Sequence, residues 1–187
     1  MTLKLFFIFV FLPQLIVGCA SITPYSLTSK ELESYTRTAI RQFDNEQLQS
    51  GSPLSFKLQD IDIEIGPDGR DVIVLELDME AALNALLMKV PATLYLKVEG
   101  EPFYDGKEKA VYIKRMALID SRLESSFFNA EIDPVAKQAF GMVAQMLEHV
   151  PVYRLNGNNL AEQMLMTAPL NIKVVPGRIA FEIVSQK

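Results

Sequence analysis

DPVAKQAFGMVAQMLEHV, residues 133–150, is the stretch whose reading decides the fold. It reads as one helix, with Asp133 as N-cap, Pro134 in the first helical position and Pro151 ending it. At 100° per residue, Val135, Ala136, Ala139, Phe140, Met142, Val143, Ala144, Met146, Leu147 and Val150 cover an arc of roughly 200°. A helix lying on a core needs an apolar stripe of little more than about 100°. This one therefore demands cover over most of its circumference. Either a sheet curls around it, or a sheet covers one side and an apolar ligand another.

The preceding chain supplies such a sheet. Leu54 to Ile65 alternates as a strand, but Leu58 and Ile61 fall on opposite parities. A bulge at Gln59-Asp60 would restore one apolar face. Gly66-Pro67-Asp68-Gly69 is a turn, and Val72 to Glu80 returns from it. Ala81 to Lys89 reads as either a helical turn or a loop. Val90 to Glu101 and Ala110 to Glu124 are further strands around a turn at Asp105 to Lys109, with a second phase slip near Lys114-Arg115. Long, bulged antiparallel strands coil. Leu160 to Thr167 reads as a short helix, and Leu170 to Val175 and Ile179 to Val184 flank Pro176-Gly177 as a closing hairpin. The fold class is α+β: a long curled antiparallel sheet wrapped around the 133–150 helix, with an N-terminal helix and a C-terminal hairpin.

That N-terminal helix starts at Thr28, whose capping box closes on Glu31. Leu32, Tyr35, Thr36, Ala39, Ile40 and Phe43 then share one arc of roughly 140°. Before it lies a targeting segment. Lys4 precedes the apolar run Leu5 to Leu12, which is too short to span a membrane, and Leu15-Ile16-Val17-Gly18-Cys19 follows. The pattern reads as a signal peptide over 1–18 ending in a bacterial lipobox. The Cys19 thiol would take a diacylglycerol, and its freed amino group a further acyl chain such as palmitate. Residues 19–27 form a lipidated tether and 28–187 one globular domain. Cys19 is the sole cysteine, so no disulfide can form within the chain and the core alone must hold the domain. Ala20, in place of an aspartate, fits the outer-membrane sorting pattern of enteric-type bacteria, which puts the protein on the periplasmic face.

The net charge of −5, with no basic cluster, argues against nucleic acid as a partner. It also leaves membrane attachment to the acyl chains. Asp60, Asp62 and Glu64 alternate on one strand and Glu76, Asp78 and Glu80 on the returning one, and Asp62 faces Glu76 and Asp60 faces Asp78 if the apolar sides of the hairpin register. Like charges directly opposite cost stability. The face is either a cation site or docking surface, or a solvated face countered by Lys97 and Lys114, and the last reading is the simpler. The glycine at 66 comes one place late for an EF-hand loop. His149, the sole histidine, has no nucleophile or zinc-ligand cluster to work with. The sequence carries no phosphate-binding glycine loop and no singled-out carboxylate pair. No enzymatic activity, metal or cofactor is expected.

Several short motifs carry a family resemblance: Val17-Gly18-Cys19, Tyr25 to Thr28 with Glu31-Leu32, Pro102 to Asp105 leading to Ala110 to Lys114, Pro151 to Leu155, and Val175 to Ile179. On these the chain resembles the YceB-like bacterial lipoproteins. That family looks similar to tubular lipid-binding domains of the bactericidal/permeability-increasing type. The resemblance implies a lipid or other apolar ligand and transfers no catalytic residue. Phe140, Val143, Met146 and Leu147 on the helix, with Leu75, Leu77, Leu94 and Leu96 on the strands, are the candidate lining. Flexible methionines such as Met142 and Met146 suit such a surface. The rival is a self-packed envelope scaffold or assembly factor that docks a protein partner through its acidic strand face. A carrier would show an apolar cavity of at least about 300 Å³ beside the helix.

Overall fold

A computed structural model describes residues 25–49, 54–85, 88–125 and 132–184. The signal peptide and Cys19 lie outside the described residues. The elements are β1 (Ser26–Thr28), α1 (Ser29–Gln49), β2 (Leu54–Ile65), β3 (Ile73–Ala85), β4 (Met88–Asp105), β5 (Ala110–Glu124), α2 (Ile132–His149), β6 (Tyr153–Arg154), α3 (Leu160–Thr167), β7 (Leu170–Val175) and β8 (Arg178–Ile183). They form a five-stranded antiparallel sheet, β2-β3-β4-β5-β6, and a three-stranded one, β1-β8-β7.

The capping box forms as expected. Thr28 N–H and Oγ1 donate to Glu31 Oε2 at 2.9 and 2.7 Å, and Glu31 N–H returns to Thr28 Oγ1. The phase slips are bulges. Between the pairs Leu58↔Met79 and Asp60↔Asp78, β2 carries Gln59 as an extra residue. In β5, Arg115 and Met116 together oppose Gly100, and Arg115 turns through φ 53. Ile119 is a further extra residue, between the pairs Lys97↔Asp120 and Val98↔Leu118. The two β5 bulges reverse the parity twice. Ile113, Leu118 and Leu123 thus share the helix side of the sheet, and Ile119 is exposed.

Several expectations need correction. Within Ala81 to Lys89, expected as a helical turn or loop, the described residues are strand: β3 runs on to Ala85, and Asn84 and Ala85 pair with Lys89 and Met88, while 86 and 87 lie outside the described residues. The strand expected over Val90 to Glu101 extends to Met88 and Asp105 because its partners on both sides continue. The central helix begins at Ile132, one residue before the expected cap at Asp133. Part of the expected tether is strand: Ser26 and Leu27 pair with Ala180 and Ile179, and Leu27 is buried. The C-terminal hairpin is thereby two-thirds of a second sheet. Tyr153 and Arg154 add the fifth strand beside β5.

The core lies on one face of the larger sheet. Leu32 and Ile40 of α1, and Ala136, Ala139, Val143, Met146 and Leu147 of α2, join one apolar cluster with Ile61, Ile63, Leu75, Leu77, Leu94, Leu96, Val111 and Ile113. α1 lies over β2 and α2 over β5 and β4. The wide arc of α2 is thus covered by the sheet on one side, with α1 in contact beside it. The smaller sheet closes one end. Phe181 meets Tyr25, Tyr104 and Tyr153 at ring distances of 5.7, 5.7 and 6.3 Å. Gly177 N–H donates to the Ile65 carbonyl at 2.8 Å and fastens the β7–β8 turn to the end of β2.

Candidate functional site

The candidate lining residues do meet. Val143, Met146 and Leu147 of α2 and Leu75, Leu77, Leu94 and Leu96 of the sheet are at most 7% exposed and belong to one continuous core. Phe140 packs against its edge and is half-buried, as are Met142 and Val135. These side chains fill the space between α2 and the sheet.

Two concavities lie elsewhere, among the outward-facing residues of the larger sheet, the first reaching round the edge strand β2 to Ser29 at the start of α1. One, of about 610 Å³, is lined by Asp62, Glu64, Asp68, Val74, Glu76 and residues of the β7–β8 turn. The other, of about 310 Å³, is lined by Glu76, Asp78, Tyr95, Lys97, Asp120 and Arg122. They share Glu76, so they adjoin. Alternation puts these charges here: β2 and β3 give every second residue to the core and turn the charged residues between them the other way, with Val74 buried on that same side.

The acidic residues register as the sequence suggests, Asp60 opposite Asp78 and Asp62 opposite Glu76. Their compensation is partial. Lys97 Nζ reaches Glu76 Oε1 at 2.7 Å, and Arg37 of α1 reaches Asp60 Oδ1 at 2.6 Å. That guanidinium bond holds the Asp60 carboxyl below the usual carboxylate range. Lys114, expected to balance this face, instead stacks over the Phe103 ring at 4.1 Å. Asp62, Glu64 and Asp78 carry no ion pair among the described residues. No group of three or more His, Cys, Asp or Glu is placed to hold a metal ion among the described residues. His149 ends α2, its Nδ1 2.7 Å from the Gln145 carbonyl oxygen.

A buried polar cluster escaped the sequence reading. Glu162 of α3 is 4% exposed. Its Oε1 accepts from Tyr25 Oη at 2.7 Å, Tyr153 Oη at 2.9 Å and Asn159 Nδ2 at 3.3 Å. Its Oε2 accepts from the amides of Asn158 and Asn156 at 3.1 and 3.3 Å. Asn159 caps α3 by accepting the Glu162 N–H at 2.9 Å. The two tyrosine oxygens are 2.5 Å apart. Burial pushes the Glu162 carboxyl upward, but the two tyrosine hydroxyls and the two amides outweigh it and hold it below the usual range. Burial pushes Tyr25 up to about 12, and Tyr153 is raised for the same reason. Asn159-x-x-Glu162 is a legible capping signal. Nothing local announces that two tyrosines from distant segments converge on it. The cluster joins the chain entry, β6 and α3. Every group in the cluster is bonded to Glu162, which makes it a structural clasp.

A family model described as "Protein of unknown function (DUF1439)" matches residues 27–178. The chain is 22% identical over 170 residues to "Uncharacterized lipoprotein YceB" of Escherichia coli (strain K12), which covers 88% of this chain and 89% of the relative. The proteins of the same name from Shigella flexneri and Salmonella typhimurium match with the same identity and coverage. The match runs from Leu27 in β1 to Arg178, the first residue of β8, and so takes in the whole five-stranded sheet.

Proposed function

The chain belongs to the DUF1439 family, and on that premise we propose that it is a lipid-anchored envelope lipoprotein acting as a non-enzymatic docking module. Anchoring is supported by the lipobox ending at Cys19 and by the lipoprotein names of the relatives. Ala20 after the cysteine supports the periplasmic face of the outer membrane. No helix among the described residues is long and apolar enough to cross a membrane.

The observation that carries the docking role is the like-charge pairing of Asp62 with Glu76 and Asp60 with Asp78 on an uncovered sheet face. Such pairs cost stability, and the adjoining concavities add relief to the surface. A basic protein surface would supply the missing counter-charge. The test is in-cell crosslinking of the acylated protein, compared with an Asp62→Lys, Asp78→Lys variant. Partners captured by the wild type and lost from the variant support docking here; an unchanged set of partners rejects it.

The half-buried Phe140 and Met142 favour a second reading, an apolar ligand at the flank of α2. Native mass spectrometry with lipid extraction separates the two. A stoichiometric co-purifying lipid would support the carrier; a protein that neither retains nor can be loaded with lipid leaves only the docking face.

A further inference from the structure

α3 buries Glu162 and Leu165 and turns its other side outward. Leu160 and Met164 lie about 160–200° around the helix from Glu162 and are 74% and 61% exposed. Ile183 and Val184, 58% and 40% exposed, stand beside the exit of the same helix. Ile183 pairs with Leu170, and the Val184 N–H donates to the Pro169 carbonyl at 2.9 Å. A lone exposed leucine needs no explanation, but exposed apolar residues grouped on one helix and the adjoining strand end mark an interaction surface. α3 contains no lysine or arginine.

The chain enters the domain at this same end. The Tyr25 carbonyl accepts the Phe181 N–H at 2.9 Å, and antiparallel pairing brings the chain into β1 from the Ile183 side of β8. In sequence, only Ala20 to Pro24 separate Tyr25 from Cys19. Fully extended, that stretch reaches about 20 Å. Acyl chains on Cys19 would hold Tyr25 within that distance of the lipid headgroups, and the Tyr25–Glu162 bond ties α3 to the same point.

We propose that the outer side of α3, through Leu160 and Met164 together with Ile183 and Val184, inserts into the surface of the bilayer that Cys19 anchors the chain to. The inference rests on the anchoring part of the proposed function. The ligand is the interfacial layer of a phospholipid leaflet. With no cation on α3, insertion is governed by apolar burial and is insensitive to salt and to anionic lipid. The membrane would fix the orientation of the domain as well as its location.

The chain contains no tryptophan, so Met164→Trp creates a single reporter at an exposed position. Glu80→Trp places the same reporter on the exposed sheet face. The acylated proteins are reconstituted into phosphatidylethanolamine/phosphatidylglycerol vesicles and floated on a density gradient. Emission is then read with and without lipids brominated near the headgroup. Flotation with a blue shift and strong quenching at 164, unchanged by high salt and absent at 80, is the expected result. Flotation with solvent-like emission at 164 overturns the insertion and leaves the anchor standing. Failure to float overturns both. A blue shift that grows with protein concentration in the absence of lipid assigns the patch to a second copy of the chain and overturns the membrane proposal.

Discussion

Tyr25 Oη donates to Glu162 Oε1 at 2.7 Å across 137 positions of sequence. The bond joins the segment entering β1 to the short helix α3, and Tyr153 Oη donates to the same oxygen. Removing either hydroxyl deletes one charge-assisted bond without emptying the site. Tyr25→Phe and Tyr153→Phe should each destabilise the protein by about 1.5–3 kcal/mol in urea unfolding. A Tyr25→Phe, Glu162→Gln cycle should show a coupling of about 0.5–3 kcal/mol. Additive single effects would mean that the two groups do not share a bond in solution.

The same carboxyl sets an acid limit. Glu162 has a folded pKa below its unfolded value, so the unfolded chain takes up the proton first as pH falls. Its contribution is complete above the unfolded pKa of about 4.3 and is lost as pH falls through the folded value. Glu162→Gln should flatten the wild-type decline in stability below about pH 4.3. Parallel stability-versus-pH curves for the two proteins would contradict this. On the alkaline side Tyr25 is raised to about 12, so its contribution is full below the unfolded value of 10.0 and is lost between the two. Absorbance titration should find the Tyr25 phenol un-ionised until well above pH 10 in the folded protein.

Two glycines should respond in opposite directions to alanine. At Gly100, opposite the β5 bulge, an added Cβ would lie 2.5 Å from Ile113 Cγ2 and 2.6 Å from Met116 Sδ. Gly100→Ala should therefore cost about 1–3 kcal/mol through overpacking. At Gly141, inside α2, a Cβ would meet nothing within 4 Å. Gly141→Ala should stabilise the protein by about 0.8–1 kcal/mol, the helix-propensity difference. Thermal and urea denaturation of both variants check the pair, and a stabilised Gly100→Ala would show that the bulge is not packed as described.

Local order was readable wherever it depended on neighbours in sequence. The capping box at Thr28 and Glu31 is three residues wide, and the bulge at Gln59 shows as a parity change between Leu58 and Ile61. The first β5 bulge was legible in the same way. The second was not, because Leu118 and Leu123 are read as one face only when Ser121 is known to oppose Leu96. The run 81–85 failed for a related reason: its alanines and asparagine have weak strand propensity, and pairing with β4 makes it strand.

The sequence by itself determined the α+β class, the long strands and their first slips, the amphipathic helices and the acidic register of β2 with β3. All of these follow from the period of apolar residues along a few consecutive turns or pleats. The tertiary structure decided that Ser26–Thr28 joins the C-terminal hairpin as a third strand, and that Glu162 is buried under two tyrosines. It also decided that the leucines of the sheet close onto Val143, Met146 and Leu147 of α2. These outcomes depend on contacts between segments far apart in the chain. A residue's alternation or helical angle fixes the side it points to, and only the packed chain fixes what it meets there.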